Sequence, residues 1–241
     1  MAYRHLFGPV RSRRLGRSLG IDLLPDNTCS FDCIYCERGK TNNLTLKRAE
    51  YTPTDEILTE LDNLLSTHPH IDFITLGGTG EPTLHSGIGT ILWHIREEHP
   101  KYKSAILTNS TLLPDPTVRS ALSSADLILP SLNAVSNDVF ETINRPAPGI
   151  SSSEIIEGLI RLREEYSGQI WLEIFLIPGI NTTDVELHLL REAVIRIRPD
   201  QIHLNSLDRP GAEGWVIRPS DEELEKICQF FKVKLNNVTR I

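Results

Sequence analysis

Six short apolar segments, each followed by an amphipathic stretch, constrain this 241-residue chain more than any other feature. The segments are Ser18–Leu23, Ile71–Leu76, Ser104–Thr108, Asp126–Pro130, Gln169–Ile177 and Asp200–Leu204, all of strand length. Between them the apolar period lengthens to that of a helix. Ile57, Leu58, Leu61, Leu64 and Leu65 form one stripe, entered through Thr52-Pro53-Thr54-Asp55, a cap with proline in the first turn. Ile88, Ile91, Leu92 and Ile95 form a second. Ser151 and Glu154 open a third helix through Ile155, Ile156, Leu159 and Leu162. Val185, Leu189, Ala193 and Ile197 continue the series, and Ser220 with Glu223 opens a last helix carrying Leu224, Ile227, Cys228 and Phe231. Strands separated by helices pair in parallel through right-handed crossovers. Six such units are too few to close a barrel that needs eight. The predicted fold is therefore α/β, an open (β/α)6 arc or partial barrel, with a doubly wound sheet as the alternative. No linker or repeat divides the chain, so residues 1–241 are expected to form one domain. Residues 1–20 lead into the first strand, and 205–241 supply a C-terminal helix and tail.

In parallel sheets of this kind the site lies beyond the C-terminal ends of the strands. A cysteine-bearing loop follows the first strand, and Gly77-Gly78-Thr79-Gly80-Glu81-Pro82 follows the second. Asn109 follows the third, Ser131 and Asn133 the fourth, Pro178-Gly179-Ile180-Asn181 the fifth, and Asn205-Ser206 the sixth. One mouth is expected to collect them. Singly, each of these is also an ordinary turn. Glu173 stands inside an apolar strand, where a carboxylate facing the arc needs a partner.

Three of the four cysteines, Cys29, Cys33 and Cys36, occupy one short run, Cys-Ser-Phe-Asp-Cys-Ile-Tyr-Cys. Clustered in this way they do not resemble a disulfide framework, and a reducing compartment suits them better. All-thiolate sites select soft metals, and three thiolates on one loop fit an iron–sulfur cluster with one iron left open. Zinc completed by a histidine such as His203 is the alternative. Cys228 lies on a helix stripe and is expected in the core.

The spacing Cys-x3-Cys-x2-Cys, with Tyr35 before the last cysteine, resembles the signature of the radical S-adenosylmethionine (radical SAM) superfamily. The turn at Gly77–Pro82 resembles that superfamily's Gly-Gly-Glu motif, Leu107-Thr108-Asn109-Ser110 its Thr-Asn-Gly turn with serine for glycine, and Ser131-Leu132-Asn133-Ala134 its Ser-Leu-Asp-Ala run with asparagine for aspartate. Phe7-Gly8-Pro9-Val10, Ser12-Arg13-Arg14-Leu15-Gly16, Ser18-Leu19-Gly20 and Ile143-Asn144-Arg145-Pro146 further resemble the branch that includes archaeal wyosine-synthesis enzymes acting on transfer RNA. That similarity spans about residues 5 to 210, but the additional cysteines those enzymes use for a second cluster are missing here. The resemblance implies a radical SAM core, a TIM-like partial barrel whose [4Fe-4S] cluster is held by Cys29, Cys33 and Cys36. It also implies S-adenosylmethionine bound near Tyr35, Gly78, Thr79, Gly80, Glu81, Asn109, Ser131 and Asn133. In this reading Gly78 to Glu81 hold the methionyl amine, and Tyr35 lies beside the adenine through its backbone. No residue receives a catalytic proton-transfer role. The implied partners are an electron donor such as flavodoxin or ferredoxin, and a substrate that is a small molecule, an RNA or a protein. Transfer-RNA base modification and activation of a glycyl-radical enzyme are the two sub-readings.

The formal charge of -7 argues against a protein that coats nucleic acid. The first twenty residues run against that balance, with Arg4, Arg11, Arg13, Arg14 and Arg17 and no acid. Such an arm suits a phosphate, a carboxylate substrate or an acidic partner, or it pairs with the protein's own acids. A zinc-stabilised module gripping a phosphate-rich partner is the non-enzymatic reading. The lack of an apolar run of membrane-spanning length, and of an apolar N-terminal signal, predicts a cytoplasmic protein with no membrane partner.

Overall fold

Alternate residues along the parallel strands separate two apolar layers. In the computed structural model, which describes residues 3–241, Ile106, Ile128, Ile170, Leu172, Ile174, Ile202 and Leu204 face one way into the main core. Ala105, Leu127 and Leu129 face the other way, with Leu107 and Trp171 packed beside them. Period-two side chains on a pleated strand make this division unavoidable.

The strands are β1 Leu6–Ser12, β2 Gly16–Ile21, β3 Thr28–Cys29, β4 Asn43–Leu44, β5 Phe73–Leu76, β6 Lys103–Thr108, β7 Leu127–Pro130, β8 Gln169–Phe175, β9 Gln201–Asn205 and β10 Val238–Arg240. The helices are α1 Thr54–Leu65, α2 Ile88–Glu98, α3 Pro116–Ala121, α4 Asn137–Asn144, α5 Ser152–Glu165, α6 Asp184–Ile197 and α7 Asp221–Lys232. The main sheet runs β1-β2-β5-β6-β7-β8-β9-β10. Every neighbouring pair after the antiparallel β1–β2 hairpin is parallel.

The strand order never reverses. A doubly wound sheet must reverse at its switch point, so that alternative fails. Winding in one direction puts the helices on one face and leaves the other concave, and β1 and β10 remain as edges of an unclosed arc. The six strands read from sequence are all present as β2 and β5 to β9.

Local signals account for most helix starts. Ser151 and Glu154 form a reciprocal capping box at α5, and Ser220 accepts the Glu223 N–H at α7. The start of α1 differs from expectation. Pro53 is the capping residue and offers no side-chain bond; instead the Glu50 carboxylate accepts the Thr54 N–H at 2.9 Å. Among the described residues no helix is long and apolar enough to cross a membrane.

Candidate functional site

The cysteine loop is held in place by its neighbours rather than by regular structure of its own. Among the described residues its strand pairing is Thr28–Cys29 against Asn43–Leu44, with isolated bridges from Thr28 to Gly80 and from Phe31 to Pro146. Ile34, fully buried, anchors it in a small apolar cluster with Ile143, Phe175, Ile177 and Val216. The Ile34 N–H donates to Ile143 O at 3.0 Å, and the Asp32 N–H to Asn144 O at 3.0 Å. From the other side the Glu213 N–H donates to Ile34 O at 3.0 Å, and Arg145 pairs with Glu213 at 2.6 Å. A methyl group on Gly211 would come within 2.8 Å of the Tyr35 carbonyl group. The segment around Gly211 therefore lies directly on the cysteine loop.

Cys29, Cys33 and Cys36 are half-buried and unpaired, whereas Cys228 is buried in the core. Burial pushes the Cys33 thiol up to about 12, helped by the neighbouring Cys36, against a lowering bond from Asn144. Burial is also the main reason that Cys29 and Cys36 are raised. Three thiolates this close need a strongly positive group among them. Two of the sulfurs already receive amide donors: Asn109 Nδ2 donates to Cys29 Sγ at 3.5 Å and Asn144 Nδ2 to Cys33 Sγ at 3.4 Å. Such bonds are a recognised means of setting cluster potential.

The donor set, three thiols on one short loop with amide donors reaching two of the sulfurs, fits an iron–sulfur cluster.

The glycine turn after β5 docks on the start of the same loop. Gly78 and Gly80 take φ of +154° and +102°, and the Glu81 N–H donates to Thr28 O at 3.2 Å. A Cβ on Gly80 would lie 1.8 Å from Thr28 O. Thr79 is fixed by Asp22, which accepts both its N–H and its hydroxyl, and Arg38 donates to Thr79 Oγ1 at 2.8 Å. Gly78 stays exposed at the mouth.

Glu81 is 1% exposed. Its Oε1 accepts from Thr83 N, Thr83 Oγ1 and Thr108 Oγ1 at 3.1, 2.6 and 2.7 Å, and its Oε2 from Asn109 N at 2.6 Å. Burial raises its carboxyl above the ordinary range, with the bonds from Thr83, Asn109 and Thr108 working against it. The carboxylate ties the turn after β5 to the turn after β6. Asn109 is drawn inward by it, and its Oδ1 accepts from Thr111 Oγ1 at 2.8 Å. Ser110, where the resemblance leads one to expect glycine, nevertheless adopts φ of +74°. Its hydroxyl secures the turn by donating to Ser131 O at 2.9 Å.

After β7, half-exposed Ser131 and buried Asn133 complete the ring. Asn133 Nδ2 donates to Tyr35 Oη at 2.6 Å and its Oδ1 accepts the Phe175 N–H at 2.9 Å. The Tyr35 ring stacks on Phe175 with centroids 4.0 Å apart. Asn181 lies beneath them, fully buried, donating to Asn133 O and Phe175 O and accepting the Ile177 N–H. Sequence reasoning gave no role to Asn144, Asp22 or the Gly211 segment. Only the Asn144-Arg145-Pro146 motif offered a signal.

The chain matches the family described as Radical SAM superfamily over residues 23–191. It is 38% identical over 229 residues to a Brachyspira hyodysenteriae protein named GTPase Obg, a match covering 95% of this chain but 34% of that protein. It is 37% identical over 221 residues to a UPF0026 protein of Synechocystis sp., covering 91% of this chain and 79% of that one. In fold it is similar to the crystal structure of Streptococcus suis SuiB bound to S-adenosylmethionine, with a TM-score of 0.67 at 15% identity, covering 92% of this chain and 50% of that one.

Proposed function

The chain belongs to the radical SAM superfamily, alongside the UPF0026 proteins, and we propose that its arc of parallel strands performs radical hydrogen abstraction on a substrate held inside it. It is an enzyme whose cofactors are a [4Fe-4S] cluster and S-adenosylmethionine. When bound, these supply a 5′-deoxyadenosyl radical through reductive cleavage of a carbon–sulfur bond. Everything else is the work of the chain's own residues.

Cys29, Cys33 and Cys36 would hold the cluster, and the amides of Asn109 and Asn144 would stabilise negative charge on two of the sulfurs. Gly78, Thr79 and Gly80 would offer backbone groups to the methionyl end, in a turn whose glycines let it pack against Asp22 and the Thr28 carbonyl. Glu81 is a positioning residue in this reading: its four acceptor contacts set the Asn109 turn against the cysteine loop. Ser131 would face ribose or carboxylate, while buried Asn133 holds the Tyr35 ring beside it. Tyr35, pinned by Asn133 and Phe175, presents its backbone to the adenine. The apolar cluster around Ile34 and the segment around Gly211 exclude water from the loop. A bound cluster would take its electron from an external one-electron donor such as flavodoxin or ferredoxin.

The observation that carries this reading is three thiols on one buried-anchored loop, two receiving amide donors, at the strand-end mouth of an open parallel arc. Anaerobic reconstitution, reduction and product analysis test it. The reading expects 5′-deoxyadenosine from S-adenosylmethionine, and deuterium transferred into it from the true substrate. Reconstituted, reduced protein that leaves S-adenosylmethionine intact rejects it.

A further inference from the structure

The arginine-rich segment before the first parallel strand ends in a hairpin tip that the cofactor reading above does not use. Arg13 and Arg14 lie at the tip of the β1–β2 hairpin, between Ser12 and Gly16. The next residue, Leu15, is 4% exposed and packs with Ala105, Leu127 and Leu129 on the concave face of the arc. Burying that leucine draws the hairpin tip onto the concave face, with the Arg14 side chain turned inward and Arg13 left half in solvent.

The two arginines end differently. Arg14 pairs with Glu173 where both side chains are largely buried, at 18% and 13% exposure. Asn205 Nδ2 donates to the same Glu173 oxygen at 3.1 Å. Arg14 is thus neutralised at the point where Glu173 needs a cation. Among the described residues Arg13 reaches Asn205 Oδ1 at 3.5 Å and the Asp208 carboxylate at 4.0 Å, with half or more of each ionic side chain in solvent. Its charge is close to unopposed.

Arg13 and Arg14 line a cavity of about 400 Å³ with Trp171, His203 and Arg240, a size suited to a small ligand. Arg240 is paired away from it, with Asp221 at 3.0 Å and Glu225 at 3.5 Å. His203 is 4% exposed; its Nε2 meets Gln201 Oε1 at 3.0 Å, and its Nδ1 is buried with no partner among the described residues. An unpartnered buried ring nitrogen costs stability unless something occupies the cavity beside it. The Trp171 ring, 5.3 Å from the His203 ring centroid, adds an apolar wall. Arg14 links this cavity to the proposed reaction site, because its partner Glu173 pairs with Ser131 across the sheet and accepts the Leu132 N–H at 2.9 Å through its carbonyl.

An opening cation with a planar donor fork selects an oxyanion, and a nitrogen lone pair behind it selects a ligand hydroxyl. We propose that this cavity receives the anionic end of the substrate, a phosphate- or carboxylate-bearing small molecule, with Arg13 as the binding cation and the Arg14–Glu173 pair as its buried support. The assignment rests on the radical reading above for calling that molecule the substrate; the anion site itself does not.

Equilibrium dialysis of the cluster-loaded protein tests it, with radiolabelled inorganic phosphate in one arm and succinate in the other, each without and with saturating S-adenosylmethionine. One equivalent of one probe is expected to bind at millimolar concentration, with affinity falling about tenfold or more in Arg13→Ala. Arg13 is exposed enough for that variant to fold, and its unfolding temperature should match the parent's. Absence of binding by both probes overturns the proposal, as does affinity unchanged in Arg13→Ala. Displacement by S-adenosylmethionine overturns it too, because the cation would then serve the cofactor. The dialysis involves no radical chemistry. Anion binding without 5′-deoxyadenosine formation would retain the site and reject the reaction, and the reverse would reject the site alone.

Discussion

Replacing Asn181 by alanine isolates how much the mouth of the arc depends on one buried amide. Asn181 is 0% exposed, and all three of its bonds go to backbone: Ile177 N at 2.7 Å, Phe175 O at 2.7 Å and Asn133 O at 2.8 Å. Alanine leaves one buried N–H and two buried carbonyls without this partner. At roughly 2 kcal/mol for the fixed N–H and 1 kcal/mol for each carbonyl, which keeps a second lone pair, the loss is about 4 kcal/mol. For a chain of this size that is about 8 to 16 °C in unfolding temperature. Denaturant unfolding of cluster-free protein, followed by far-ultraviolet circular dichroism, reads it without any cofactor. Asn181→Asp should cost more, because it turns a carboxylate oxygen toward two carbonyl oxygens. A loss below about 1 kcal/mol for Asn181→Ala, the range of ordinary surface substitutions, would refute the reasoning.

Two further outcomes follow from the same geometry. Gly80→Ala must move Thr28 O, which a Cβ would meet at 1.8 Å, whereas nothing lies within 4 Å of a Cβ at Gly39. The first variant should lose most of its iron on reconstitution, and Gly39→Ala should lose no more than the roughly 1 to 2 kcal/mol of a left-handed alanine; equal iron contents would contradict this. His203 is held neutral, chiefly by burial and secondarily by Arg14, with its proton affinity lowered to about 4. The unfolded chain binds that proton near pH 6.5. Between these values the unfolded state holds more protons, so stability should fall as pH drops from about 6.5 towards 4. In His203→Gln the fall over that window should be shallower by up to one proton, measured as the unfolding free energy against pH; identical slopes would contradict the assignment.

The strand–helix alternation was legible because the convex face of each parallel strand must be apolar where a helix covers it. The edges were less so. Only Leu6 of β1 is buried, which leaves no period to read, and α3 has six residues with only Val118 and Arg119 buried. The cysteine trio and the glycine turn were legible as chemistry, since soft donors and glycines have few other reasons to gather there. Their tertiary supports were not. Asn144 meets Cys33 across 111 residues, Asp22 meets Thr79 across 57, and Arg14 meets Glu173 across 159. Nothing local in an asparagine or an arginine announces a partner so far along the chain. Glu81 illustrates the opposite difficulty. Its motif suggested a ligand to an ammonium group, while the folded chain surrounds its carboxylate with hydroxyl and backbone donors of its own.

Electron paramagnetic resonance of the reduced, reconstituted protein, recorded before and after addition of S-adenosylmethionine, addresses the metal centre itself. A cluster with one iron unclaimed by cysteine should give a [4Fe-4S]+ signal that shifts when the sulfonium compound binds, and Cys33→Ala should give none. A signal indifferent to S-adenosylmethionine, or a colourless protein carrying one zinc per chain, would contradict the account.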